Sequence, residues 1–208
     1  MMVSDMESQM EKDWKMKLEA ENLELKNQIC RLEEELRNCH AALQFASERA
    51  DIDYLTGIYN RNGITRLVDG FLGMERAEKG ALCFLDLDNF KQINDQYGHK
   101  YGDEVLCNVV QSICRNMQES DVVGRFGGDE FVIYLRMPEG IADITGRAEN
   151  ICRGIRQEQG CHGLTASIGI ARYPEDGRQF TELIEKADSA LYESKKEGKD
   201  QIRFISEE

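Results

Sequence analysis

The 208-residue chain has only two prolines and one tryptophan, sets 26 basic side chains against 39 acidic ones, and contains no apolar run of bilayer length. Each shortage excludes something. With no twenty-residue apolar stretch, and no basic segment leading into a short apolar core, neither a membrane span nor a secretory leader is expected, and the chain reads as cytoplasmic. A formal net charge of −13 sets most of the surface against a phosphate backbone. A nucleic acid polymer is therefore excluded as a partner, and any nucleotide site must be locally basic. The seven cysteines, at positions 30, 39, 83, 107, 114, 152 and 161, are odd in number and form no CxxC pair, which fits reduced thiols. Cys39-His40 and Cys161-His162 are isolated pairs without metal-ligand spacing.

Glycine and proline are also missing from residues 14–50, and there the apolar positions follow a heptad. Asn22, Ile29, Leu36, Leu43 and Ala50 take the a positions; Leu18, Leu25, Leu32, Cys39 and Ala46 take d. Isoleucine at a with leucine at d favours two parallel strands, and a lone asparagine at a sets register and oligomer number. Glu21 at g can meet Lys26 at e of a second copy. A homodimeric parallel coiled coil over residues 1–50 is expected, with a single amphipathic helix packed on its own domain as the plainer alternative.

Residues 51–208 read as one α/β (α+β) domain: a mostly antiparallel central sheet flanked by helices. A loop, DYLTGIYNRNG, precedes a helix to about Lys79. A buried strand over 81–88 follows, then a short helix from Phe90, a turn at Tyr97-Gly98-His99 and a longer helix from Asp103 to about Met117. A hairpin over 122–135, a helix near 141–158, a strand LTASIGIARY, a helix over 179–197 and a last strand QIRFIS complete the pattern.

The acids concentrate where strands end. In RFGGDEFVIYL, Gly127-Gly128 suggests a two-residue turn with positive φ angles, and Asp129 and Glu130 follow at once. Neighbouring carboxylates repel unless a cation compensates. Strand 81–88 carries Asp86 and Asp88 on one face with Leu87 on the other. If that strand lies beside the hairpin, Asp86 and Asp129 can face one ion, and a few hard oxygen ligands suit magnesium rather than zinc.

Taken in order, DYLTG with Asn60-Arg61, DLDNFKQIND, GHKYGDEVL, RFGGDEF, TASIGIARYPEDG and ADSALYESKKEGK resemble the GGDEF domains of diguanylate cyclases, from Asp51 to Ile205. The resemblance implies a palm-like nucleotidyl-cyclase fold and condensation of two GTP into cyclic di-GMP and pyrophosphate, with Mg2+ or Mn2+. It implies that Asp86, the Leu87 carbonyl and Asp129 hold metal, with Glu130 essential for catalysis and sharing a second ion. Lys91 is implied as the catalytic phosphate-neutralising lysine, aided by amides near Asn89 and Phe90. Asn94 and Asp103 are implied to read the guanine edge beside His99, with Lys195 and Lys199 on the terminal phosphates. Plainer roles stand beside these: polar hairpin residues for Asp129 and Glu130, solvated lysines, a turn cap for Asn94, an N-cap for Asp103 and a structural role for His99. A silent GTP-binding module acting through a coiled-coil partner is the rival to a cyclase.

Two departures from the family pattern carry consequences. Where the family has an inhibitory RxxD, this chain has Gln118-Glu119-Ser120-Asp121, so Gln118 and Asp121 form a degenerate site without the arginine that would bind phosphate and stack on guanine. After the last helix stands Gly198-Lys199-Asp200, a cation without bidentate geometry. Turnover is therefore expected to continue unchanged in the presence of low-micromolar cyclic di-GMP, as measured by pyrophosphate release with added product; clear inhibition would refute the reading of Gln118.

Overall fold

The computed structural model describes residues 14, 16, 24–38, 50–74, 77–158 and 163–205. The chain divides into two compact units, Met1–Arg49 and Ala50–Glu208. In the first, residues 24–38 form helix α1. Leu25, Ile29, Leu32 and Leu36 lie on it at heptad spacing and are 51–63% exposed. The remaining heptad positions of this unit, Leu18, Asn22, Cys39, Leu43 and Ala46, and the Glu21 charge lie outside the described residues, as do Cys39-His40 and Cys161-His162.

The second unit is built on a six-stranded mixed sheet of order β1-β3-β4-β2-β5-β6. Its strands are β1 (Tyr59–Asn60), β2 (Gly80–Asp88), β3 (Val122–Arg125), β4 (Glu130–Arg136), β5 (Thr165–Tyr173) and β6 (Ile202–Phe204). β2 pairs antiparallel with both β4 and β5, β3 pairs antiparallel with β4, and only β1–β3 and β5–β6 are parallel. The helices are α2 (Arg61–Leu72), α3 (Phe90–Tyr97), α4 (His99–Arg115), α5 (Ile141–Gln157) and α6 (Phe180–Lys196).

β2 explains the layering. Eight of its nine residues are buried, so it shows no polar alternation and must be covered on both faces. Ala81, Cys83, Leu85 and Leu87 pack with Val105, Val109 and Ile113 of α4 and Ile151 and Ile155 of α5. Leu82 and Phe84 pack on the other side with Ile64 and Val68 of α2 and Leu183, Ala187 and Leu191 of α6. Each of the leucine, isoleucine, valine and phenylalanine side chains contributes about 1.5–3 kcal/mol by leaving water. Burial also pushes the Cys152 thiol up to about 12 and raises that of Cys83, so these two thiols serve as small apolar groups.

Several sequence expectations need correction. α2 stops at Leu72, not near Lys79: Gly73 closes it by donating to the Asp69 and Phe71 carbonyls, and the chain must then turn into β2. α4 begins at His99, four residues before Asp103, because Gly98 at φ +86 drops the chain straight into helix. Asp103 is therefore not an N-cap. The strand-like pair Tyr59-Asn60 was hidden in an apparent loop, and β6 is limited to Ile202–Phe204.

α6 lies tightly on β5 at Gly169, where an added Cβ would strike the Ala187 carbonyl and the Leu191 backbone. Neither obstacle is a side chain that could swing aside. Gly169→Ala is expected to cost about 3 kcal/mol, read as a lowered urea midpoint with unchanged slope; a loss below a few tenths would show that the helix shifts freely.

Candidate active site

Four strand ends meet at one edge of the sheet: the C-terminal end of β2 and the starts of β4, β5 and β6. The ladder places Asp86 directly opposite Glu130, and the Leu87 amide donates to the Asp129 carbonyl at 3.2 Å. Asp86 is the single residue of β2 that is not buried. Asp86 and Glu130 are thus set side by side by strand pairing, with Asp129 next in the chain to Glu130, while the Leu87 side chain is buried in the core.

The loop between β3 and β4 differs from a two-residue turn. It spans 126–129, with Phe126 and Gly127 both donating to the Glu130 carbonyl, at 2.8 and 3.3 Å. Neither Gly127 nor Gly128 takes a left-handed φ. Gly127 matters for room instead, because a Cβ there would meet the Glu130 carboxylate. Arg125 grips the Gly128 carbonyl with Nε at 3.1 Å and Nη2 at 2.8 Å, and its Nη1 donates to Asp53 at 3.2 Å. Against the opposing effect of burial, the Thr56 hydroxyl and amide and Arg125 hold the Asp53 carboxyl below its usual value. The loop carrying Asp129 is thereby braced by charge-assisted bonds.

The acids are short of positive charge. Burial, reinforced by Asp129 and Asp88, pushes Asp86 above the ordinary carboxylate value, although Lys195 pulls the other way. Glu130 is raised by burial, then by Asp86 and Asp129, with Asp188 adding to the effect and Lys195 opposing it. Lys195 Nζ stands 2.8 Å from Asp86 Oδ2. Among the described residues no three His, Cys, Asp or Glu side chains converge closely enough to cage an ion. An ion held here needs further oxygens beyond these side chains, a demand that suits a hard, partly hydrated divalent cation.

Around the acids lie the remaining residues named from sequence. Asn89 adopts φ +63 at the start of α3, and its side chain, instead of capping that helix, accepts from Lys199 Nζ at 2.7 Å. Lys91 is exposed on the first turn of α3, and Phe90 is buried beneath it. Asn94, half-buried near the end of α3, presses on Gly102 so closely that any Cβ there would meet its side-chain oxygen. Gly102 therefore lets α3 and α4 approach, which brings Asn94 beside the turn carrying exposed Asp103; His99, one turn earlier on α4, is also exposed.

Gln118 and Asp121 lie elsewhere. Asp121 is ion-paired to Arg147 of α5 in a buried contact, and its oxygens also accept from the Gln118 and Arg136 amides at 2.9 and 3.0 Å. Both oxygens are committed to the scaffold. The adjoining cleft, about 520 Å³, is lined by Ile52, Ile58, Met117 and Val123 together with Gln118 and Asp121, and no basic side chain of its lining is there to receive a phosphate. Sequence reasoning missed Arg125, Asp53 and the partners of Asp88. Only the in-phase spacing of Asp86 with Asp88, and of Thr165 with Ser167 on the neighbouring strand, hinted at the last.

Residues 50–201 match the family model described as "Diguanylate cyclase, GGDEF domain". Diguanylate cyclase TpbB of Pseudomonas aeruginosa is 35% identical over 196 residues, 89% of this chain and 45% of its own length. Cyclic di-GMP phosphodiesterase NbdA of the same organism is 35% identical over 205 residues, 93% of this chain and 25% of its own length. The chain thus spans less than half the length of these curated relatives. The solved GGDEF domain of TpbB superposes with TM-score 0.69 at 34% identity, covering 74% of this chain and 94% of that one. The coiled coil and GGDEF domain of DgcB from Caulobacter crescentus, solved with c-di-GMP, gives TM-score 0.70 at 25% identity over 86% of this chain and 98% of that one. With the palm-like sheet, the acids at its edge and these matches in agreement, the chain belongs to the GGDEF-domain diguanylate cyclase family.

Proposed function

We propose that residues 51–208 form a cyclase that joins two GTP into cyclic di-GMP. The observation that carries this reading is the cross-strand placement of Asp86 against Glu130, both short of counter-charge, with the backbone of Asp129 fastened to the Leu87 amide. Asp86, the Leu87 carbonyl, Asp129 and Glu130 would hold Mg2+ or Mn2+, which supplies charge neutralisation at the α-phosphate and acidifies the attacking hydroxyl. Lys91, the uncapped start of α3 at Asn89 and Phe90, and Lys195 with Lys199 would bind the phosphates. Asp103 accepts from guanine N1–H and the exocyclic amine while Asn94 and His99 border the base; adenine offers no such donor pair, so its binding would leave the carboxylate unpaired.

In each half-reaction a 3′-hydroxyl oxygen bonds to the other nucleotide's α-phosphorus, the bond to pyrophosphate breaks, and the hydroxyl proton is released. Two such events close the ring. One subunit carries one nucleotide, so two copies are required, and the heptad stripe Leu25, Ile29, Leu32, Leu36 on α1 supports a coiled-coil homodimer that presents the two sites to each other. Soluble GTP as substrate, with no helix among the described residues long and apolar enough to cross a membrane, fits action in the cytoplasm.

Incubation with GTP and magnesium is expected to yield pyrophosphate and cyclic di-GMP. Asp129→Ala or chelation should lower the rate on the order of a hundredfold or more, and deletion of residues 1–45 should make it depend on protein concentration. GTP binding without any pyrophosphate would identify a silent module instead.

A stability measurement tests the charge deficit separately. A raised carboxylate pKa means that the folded state holds its proton more tightly than the unfolded one, so stability falls as pH rises through the window between the two values. Glu130→Gln is therefore expected to melt higher than wild type at neutral pH without metal, and the difference should vanish in acid below the ordinary carboxylate range. Added magnesium should raise the wild-type melting temperature more than that of Glu130→Gln. A variant less stable than wild type under metal-free neutral conditions would contradict the electrostatic account.

A further inference from the structure

The geometry points to Asp88 as a positioning residue that sets Lys199 over the start of α3, and not as a metal ligand in spite of its spacing from Asp86. It rests on the proposed GTP chemistry. Asp88 is 3% exposed and its oxygens are filled: Oδ1 accepts from Ser167 at 2.8 Å, and Oδ2 accepts from Thr165 at 2.7 Å and from the Asp200 backbone amide at 3.0 Å. A buried carboxylate must find donors, and here none of them is a cation. Asp86, two residues earlier on the same face, keeps Lys195 and an open side. The two aspartates of Asp86-Leu87-Asp88 are thus divided in labour.

What Asp88 holds is a turn that would not hold itself. Gly198, Lys199 and Asp200 all have positive φ, at 119°, 66° and 50°, and two of the three carry a Cβ that disfavours that region. Such a turn persists only where its surroundings fix it. Five hydrogen bonds do so: the Lys199 amide to the Ser194 carbonyl at 3.1 Å, the reciprocal bonds between Ser194 and Gln201 at 2.9 Å each, Arg156 to the Asp200 carboxylate at 2.9 Å, and the Asp200 amide to Asp88. Only Asp88 comes from the same end of β2 as the acids, one residue before Asn89, whose side chain receives Lys199 Nζ. The Asp88 backbone leads into the start of α3 while its side chain clamps the turn bearing the lysine. Both sides of the expected phosphate cradle are referred to one residue.

The test compares binding of 3′-deoxy-GTP, which lacks the attacking hydroxyl, with binding of GMP, in the presence of magnesium. Asp88→Ala should weaken 3′-deoxy-GTP binding about tenfold, the loss of one charge-assisted bond's worth of ordering, while GMP binding changes by less than about twofold. In a Lys199→Ala background the same substitution should have almost no further effect. Equal losses for GMP and 3′-deoxy-GTP would reveal a merely structural residue, and additive losses would sever Asp88 from Lys199; either result overturns the inference. Should Asp88→Ala fail to fold, Arg156→Ala loosens the same turn from its solvent side and should weaken only 3′-deoxy-GTP binding, by about threefold; unchanged binding overturns the inference equally. A wild type that binds 3′-deoxy-GTP no better than GMP would overturn the cyclase reading along with it.

Discussion

Antiparallel pairing has a side-chain period of two, so the register of β2 on β4 decides whether Asp86 and Glu130 face each other or face away. A slip of one residue would turn Leu85 and Leu87 to the wrong layer as well as displacing the acid, and the apolar burial of those leucines therefore enforces the chemistry of their neighbour. Packing in the two layers and charge at the sheet edge are settled by a single alignment. The loop 126–129 adds precision after that alignment exists: Arg125 fixes Gly128, and the Leu87 amide fixes Asp129.

The same arrangement works against stability at the edge. Burial and then the neighbouring carboxylates raise the proton affinity of Asp86 and Glu130, and Lys195 offsets part of the effect. The remainder of the domain offsets this locally unfavourable cluster through β2, buried almost throughout, and through α6 seated on β5 at Gly169. Strain gathers at the functional edge too, in Asn89 and in the 198–200 turn, where hydrogen bonds hold conformations that the side chains alone disfavour.

Much of this is legible in the order of residues alone. β2 announced itself as a short apolar run ending in acids, β4 as the run after the glycine pair, and α5 and α6 by helical periodicity with nearly correct ends. Local signals failed where long-range contacts decided. The two residues of β1 are a strand because β3 lies beside them, the early start of α4 depends on the φ of Gly98, and Gly127 makes room for Glu130 instead of serving turn geometry. Within the site, residues adjacent in sequence were easy to group, whereas Asp53 with Arg125, separated by 72 positions, and Asp88 with Asp200, separated by 112, could be joined only by the fold.

The buried pair of Asp121 and Arg147 changes how a half-preserved motif should be read. With Gln118 where a phosphate-binding arginine would stand, the surviving aspartate looks like the remnant of a lost ligand site. Its carboxylate instead ties the segment before β3 to the end of β4 and to α5, and removing it would strand a guanidinium in the interior. A carboxylate held in this way has a packing role of its own, so its presence in a sequence reports on architecture and carries no information about whether product is sensed.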